Sequence, residues 1–372
     1  MIKRLFRLDG TLFISMVMLL ALSCLFIHSA DYRNEHAVGK LMGLQVQWIV
    51  MGLVCYVVAM SIDYRKLAHV HWWVYAAVLA LLLLVFCFPE KNNAHRWIPM
   101  PGFSLQPSEL AKVSVIITLA AWLGDPSTDI ERFKTFVLAV MLAGIPFLLI
   151  AVEPDLGSAM ILVPIAMLLL FCAGIPLRLL MTIVGMGVLG LVVLIVWLKW
   201  FPDSCPFLTE YQKSRILVFL DVTPDPLGAG WNKAQSQIAV GSGGLFGKGY
   251  LKGTQNILGF LPRTVAPTDF IHSVVAEELG FAGSSLLLVL YTTVVVRCIR
   301  VAVLAQDLFG RLMSAGVGVL IFSHVFINIA MTIGLMPITG VPLPLMSYGG
   351  TFMVCVMTAL GLVQSVYLRR RV

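Results

Sequence analysis

The sequence predicts an all-α polytopic membrane protein: about ten transmembrane helices, with a long extracytoplasmic loop between the seventh and the eighth. Three observations predict it. Hydrophobic residues fill 59% of the 372 positions and charged residues 12%, against about 45–50% and about 25% in soluble domains. Apolar runs of spanning length recur along the chain, and Lys and Arg collect on alternate connections between them. No water-soluble core hides that much apolar surface, so lipid solvates most of the chain.

A bilayer core needs about 17–25 apolar residues per helix. Such runs fall near 11–30, 41–61, 72–88, 107–124, 134–152, 156–172, 178–198, 273–297, 309–334 and 350–368. The first is long enough to be a retained anchor rather than a cleaved signal. One membrane domain, 1–372, is expected, with no separate soluble unit.

Orientation follows from the basic residues. One side collects Lys3, Arg4, Arg7, Arg65, Lys66, Arg132, Lys134, Arg178, Arg297, Arg300, Arg311 and the terminal Arg369, Arg370 and Arg371. The short loops opposite hold Arg33, Lys40, Lys91 and Arg96. Cytoplasmic loops carry the Lys/Arg excess, so both termini are expected in the cytoplasm. The net charge of +7 needs no other cause, and nucleic acid is not an expected partner. The seven cysteines form no CxxC pair or zinc pattern; six lie in apolar runs and only Cys205 in the long loop.

The loop 199–272 breaks the apolar pattern with nine glycines and seven basic against five acidic residues. It is expected to lie partly as interfacial or re-entrant pieces over the bundle mouth. Its run Gly241-Ser242-Gly243-Gly244-Leu245-Phe246-Gly247-Lys248-Gly249 lacks the Walker spacing. Its glycines still let backbone N–H groups approach an anion, with Lys248 adding charge, and a pyrophosphate suits it better than ATP.

Ionisable residues in or beside spans are expensive and functional by default. Glu109 and Lys112 stand three apart at the start of the fourth span. They share a helix face and suit either a structural ion pair or substrate binding. Asp155, in Glu153-Pro154-Asp155-Leu156-Gly157, suits either a helix cap or a catalytic role. Asp269 precedes the eighth span, and helical spacing puts Glu277 about 80° around from it. Partial desolvation at that boundary raises a carboxylate toward a useful general base; the alternative is a helix cap by Thr268 or Asp269. His324 and Asn328 share a face of the ninth span, where interior hydrogen bonding is the favoured reading.

These residues, in this order, resemble the SEDS family (RodA, FtsW and SpoVE) of bacterial cell-wall proteins, and within it the RodA branch. The stretch from Asn328 through Gly334, Pro337, Gly340 and Ser347 to Thr351 looks like the family signature. Gln106-Pro-Ser-Glu109 with Lys112, Glu153-Pro-Asp155-Leu-Gly157, Asp225-Pro-Leu-Gly-Ala-Gly230 and Gln235 to Gln255 match as well. The resemblance implies a glycosyltransferase that polymerises lipid II into peptidoglycan strands. It implies an essential aspartate in Thr-Asp-Phe, here Asp269, and substrate-binding roles for Glu109, Lys112, Asp155 and Glu277. Lys112, Arg215, Lys248 or a divalent cation (Mg or Mn) are candidates to neutralise the departing undecaprenyl pyrophosphate, although the sequence supplies no dedicated metal cage. It also implies a class B penicillin-binding protein, a transpeptidase, as partner.

Three positions depart from the family pattern. Arg263 stands where relatives usually carry Glu, His272 where they carry an aromatic residue, and Phe352 where they carry a small one. A transporter or flippase, or a scaffold for the transpeptidase, is the competing reading. A flippase should show inverted repeats, and no internal repeat stands out.

Overall fold

The computed structural model describes residues 8–32, 40–89, 95–200, 209–220, 228–262 and 265–370. The features expected at Cys205, 225–227 and Arg263, and the charges at Lys3, Arg4, Arg7, Arg33, Lys91 and Arg371, lie outside those residues.

The first seven long helices are α1 (Gly10–Asp31), α2 (Lys40–Ser61), α3 (Leu67–Leu84), α4 (Pro107–Leu123), α5 (Phe133–Val152), α6 (Leu156–Ala173) and α7 (Leu177–Trp200). Three short helices follow: α8 (Glu210–Phe219), α9 (Ala229–Ser242) and α10 (Thr254–Ile257). The chain closes with α11 (Ile271–Leu304), α12 (Leu308–Thr332) and α13 (Gly350–Leu368). Among the described residues nine helices are long and apolar enough to cross a membrane. The tenth expected span is α4, which has 17 residues and carries Glu109 and Lys112. Its short, polar character follows from its place, since nearly all of its side chains are buried by protein rather than lipid.

Packing sets who is core and who is rim. α13 packs on α2, α11 on α12 and α1, and α4 on α3, α6 and α12. Small residues let backbones meet in a medium that gives no hydrophobic drive between helices. A side chain on Gly361 of α13 would begin 2.5 Å from the carbonyl of Tyr56 in α2. α7 is the opposite case, with only Leu180 and Leu198 buried, so most of it faces lipid. A hairpin of β1 (Ile98–Met100) and β2 (Phe103–Leu105), too short to show in the sequence, leads into α4. Thr351 Oγ1 ties it to α13 by donating to the carbonyl of Ser104 at 3.0 Å.

The glycine run does something other than expected. α11 breaks at Gly280, whose φ of 66° and ψ of −159° belong to a region essentially restricted to glycine. The break orphans backbone groups, and the loop after α9 satisfies them. Lys248 N–H donates to the carbonyl of Glu277 and Gly249 N–H to that of Glu278, each at 3.0 Å. Phe281 N–H donates to Gly244 at 2.9 Å and Ala282 N–H to Leu245 at 3.0 Å. The amides of Lys248 and Gly249, expected to face an anion, are therefore used inside the fold. A Cβ on Gly280 would begin 2.3 Å from the nitrogen of Gly247. Gly280→Ala is expected to destabilise by about 1–3 kcal/mol from backbone strain alone, and further by separating the loop. A lowered thermal unfolding midpoint in detergent checks this.

Candidate functional site

Asp269 sits in a turn, not on the helix. The Val265 carbonyl accepts from the N–H groups of both Asp269 and Phe270 at 3.0 Å, and α11 begins only at Ile271. The helical-wheel relation to Glu277 therefore does not apply. Phe270 is the N-cap and makes no side-chain cap bond, so the Asp269 carboxylate is not spent on capping.

The C-terminal signature holds this turn by its backbone. Asn328 Nδ2 donates to the carbonyls of Asp269 and Val341, both at 2.8 Å. Ser347 Oγ donates to the Thr268 carbonyl at 2.5 Å, and Tyr348 N–H to that of Pro267 at 2.8 Å. Three residues thus fix three successive carbonyls, which leaves the Asp269 side chain to face the site.

Asp269 is half-buried and has cations for company. A Cβ on Gly340 would stand 3.3 Å from Asp269 Oδ2 and 3.5 Å from Arg215 Nη1. Glycine there keeps the gap between carboxylate and guanidinium open. Burial raises the Asp269 pKa above the ordinary carboxylate value, while Arg215, a hydrogen bond from Thr268 and Arg96 pull it back.

Asp155 links two parts of the site. It is the N-cap of α6, accepting from Ser158 N–H at 3.2 Å. It also receives Gln106 Nε2 at 3.2 Å and Ser108 Oγ at 3.5 Å, and Arg96 Nη1 lies 3.9 Å away. Its charge acts on both Glu109 and Asp269. Lys112 Nζ donates to Glu109 Oε1 at 2.8 Å and lies 3.1 Å from His324 Nε2. His324 Nδ1 is 3.0 Å from the Pro342 carbonyl, which accepts only, so Nδ1 carries the proton and Nε2 accepts from the ammonium. Phe352 closes this pocket, its ring 5.7 Å from Lys112 Nζ. The departure at Phe352 therefore has a place in the structure. His272 has one too, with Nδ1 2.8 Å from Thr332 Oγ1.

Glu277 and Lys248 bind each other. Glu277 Oε1 accepts from Lys248 Nζ at 2.7 Å, and from Thr254 Oγ1 and Gln255 N–H at 3.0 Å each. They form a second cluster that clasps the glycine loop to α11.

A cavity of about 240 Å³ lies between α6, α7 and α8. Arg96 and Arg215 line it with Gln212 and Thr339, and its other walls are mainly apolar. The sequence reading counted Arg96 only as a loop charge. Its signal was the position itself, since it is a cation on the side where Lys and Arg are scarce. Among the described residues no three His, Cys, Asp or Glu side chains gather to hold a metal. The charged groups lining the cavity are guanidiniums, so these residues do not fit a dedicated cation cage.

The chain is similar to known proteins along nearly its whole length. The chain is 38% identical over 367 residues to peptidoglycan glycosyltransferase MrdB of Escherichia coli K12, covering 98% of this chain and 95% of that protein. It matches a chain of a solved peptidoglycan synthase complex that coordinates polymerization and crosslinking, at TM-score 0.78 and 29% identity over 97% of each. The crystal structure of rod shape determining protein RodA from Thermus thermophilus matches at TM-score 0.72 and 26% identity over 98% of each chain. The model of the FtsW/RodA/SpoVE family of cell cycle proteins matches residues 10–371, and the chain belongs to that family.

Proposed function

We propose that this protein is a peptidoglycan glycosyltransferase that polymerises lipid II into glycan strands during cell-wall elongation and rod-shape maintenance. The observation that carries the reading is a turn-held carboxylate, Asp269, beside a guanidinium and an apolar cavity in a multi-pass membrane protein. Asp269 accepts the proton of the acceptor hydroxyl as that oxygen bonds to the donor's anomeric carbon. The bond from that carbon to the pyrophosphate breaks, and polyprenyl pyrophosphate leaves with the electron pair. Arg215 stands nearest to Asp269 to offset the departing charge. Lys112 and Glu109 form a buried ion pair behind the site, and Asp155, whose charge acts on both Glu109 and Asp269, links the pair to the base. Lys248 and Glu277 act by holding the loop. A Mg²⁺ or Mn²⁺ ion would add charge neutralisation at the pyrophosphate; the residues on hand carry the step described here.

The chain works in the bacterial inner membrane with both termini in the cytoplasm. Its partners are lipid II, the nascent glycan strand and a class B penicillin-binding protein. The test is incubation of the purified chain, alone and with that transpeptidase, with labelled lipid II in proteoliposomes. A ladder of glycan strands is expected. Transfer of intact lipid II across the vesicle without strands would assign a flippase instead.

The general-base role fixes a pH dependence. The base works deprotonated, so activity falls as pH drops through the Asp269 pKa, which lies above the ordinary value. Arg215 lowers that pKa; Arg215→Gln is expected to move the acid limb of the rate profile to higher pH. An acid limb that stays in place would separate Arg215 from Asp269.

A further inference from the structure

We infer that Ser23 of α1 and Gln45 of α2 are positioning residues for the glycosyl transfer, because they fix the loop 343–348 whose other edge holds the Asp269 turn. The inference rests on the glycosyltransferase reading and adds to it the parts that aim the base.

Polar side chains are costly inside a span, and these two are wholly buried. Between membrane helices such groups commonly serve as glue from helix to helix. Here their bonds end on a loop. Ser23 Oγ donates to the Met346 carbonyl at 2.9 Å. Gln45 Nε2 donates to Ser23 Oγ at 3.0 Å and to the Ser347 carbonyl at 3.4 Å. The Ser23 hydroxyl has one proton, and accepting from Gln45 leaves that proton aimed at the loop. From the other side Tyr291 Oη, in α11, donates to the Pro344 carbonyl at 2.5 Å. Side chains from three helices thus seat three carbonyls of one non-helical segment.

The loop needs that seating. Leu343, Leu345, Met346 and Ser347 are buried, and irregular backbone at membrane depth persists only where protein satisfies it. Leu345 has a φ of 63°, a left-handed conformation that survives in a non-glycine residue only where its surroundings over-determine it. The seated backbone passes directly to the Asp269 turn. Ser347 Oγ accepts from Leu343 N–H at 2.8 Å and donates to the Thr268 carbonyl, and Tyr348 N–H donates to that of Pro267. Gln45 therefore reaches the residue before Asp269 through Ser347 alone, whose carbonyl it holds and whose hydroxyl holds Thr268. Trp48, three residues on in α2, packs against Gly350 where α13 begins, and so steadies the far end of the loop. Loss of the seating turns the Asp269 backbone and misdirects a carboxylate that is itself intact.

The test uses purified full-length Gln45→Leu, Ser23→Ala and the double variant, with Gln47→Leu on the exposed face of α2 as control. Strand synthesis from labelled lipid II and hydrogen–deuterium exchange at the Tyr348 amide are both measured. Gln45→Leu is expected to lower kcat about 10–100-fold, the scale of a displacement of about 1 Å. KM for lipid II should stay within about twofold, since neither residue lines the cavity beside Asp269. The double variant should lose about as much as Gln45→Leu alone, because both residues act through one loop. The Tyr348 amide, which bonds Pro267, should exchange faster in all three variants and at the wild-type rate in the control. An unchanged kcat, a raised KM at intact kcat, or losses that multiply in the double variant would overturn the inference. An equal loss from Gln47→Leu would trace the effect to α2 as a whole and overturn it too. Should Gln45→Leu not fold, Ser23→Ala decides: wild-type exchange at Tyr348 in that variant contradicts the inference, and faster exchange with lowered kcat supports it. The exchange arm needs no turnover. A wild type that makes no strands, with faster Tyr348 exchange in the variants, would count against the glycosyltransferase reading alone.

Discussion

Replacing Lys112 with Met is expected to destabilise the protein by about 3–5 kcal/mol, the usual cost of leaving one partner of a buried ion pair alone. Glu109 and Lys112 are 3% and 1% exposed, and their 2.8 Å bond lies inside the bundle, not at its rim. The change strands the Glu109 carboxylate in a low-dielectric interior and removes the donor that His324 Nε2 meets. Glu109→Gln combined with Lys112→Met should recover most of the loss, because no unpaired charge remains. Arg65→Ala is the control, because it removes the solvent-facing partner of the Arg65–Asp307 pair and leaves Asp307 as the N-cap of α12: it should cost no more than about 1 kcal/mol. Thermal unfolding of the three variants in one detergent checks the order. A double variant that is stable but inactive would assign Lys112 to substrate as well as to the fold.

The spans were legible because lipid enforces a simple rule: an apolar run long enough to cross. Where protein replaces lipid the rule loosens, and α4 shows how. It is short and carries a Glu and a Lys because its neighbours, not hydrocarbon, surround it. The site was legible in its acids and bases but not in their partners. Lys248 and Glu277 are 29 residues apart, and no periodicity links them. Asp269 was placed on a helical wheel because apolar residues follow it. The turn closed by the Val265 carbonyl keeps it off that wheel. The glycine run advertised close backbone approach and met it, but the groups that approach are the carbonyls of Glu277 and Glu278, not an anion. Sequence shows that a backbone is bare; only the fold shows what comes to lie against it. Arg96 was passed over because its carbonyl partners, Glu153 and Pro154, come from another loop. The signature between Asn328 and Thr351 was recognised by resemblance. Its part as a clamp on the 267–269 backbone is set by the fold, which brings residues 59 and more positions apart together.

The central claim is that the Asp269 carboxylate takes the proton in glycosyl transfer. Asp269→Asn tests it with little disturbance. Asn has nearly the same shape, and the bonds from Asn328, Ser347 and Tyr348 go to backbone carbonyls of the turn, which the substitution leaves in place. What it removes is the base, whose contribution is about 10²–10⁴-fold in rate. Initial rates of strand synthesis from labelled lipid II are measured for the purified wild type and the variant, with thermal unfolding compared alongside. The account predicts a folded variant that leaves lipid II unpolymerised while the wild type yields a ladder. A wild-type-like ladder from folded Asp269→Asn would contradict it.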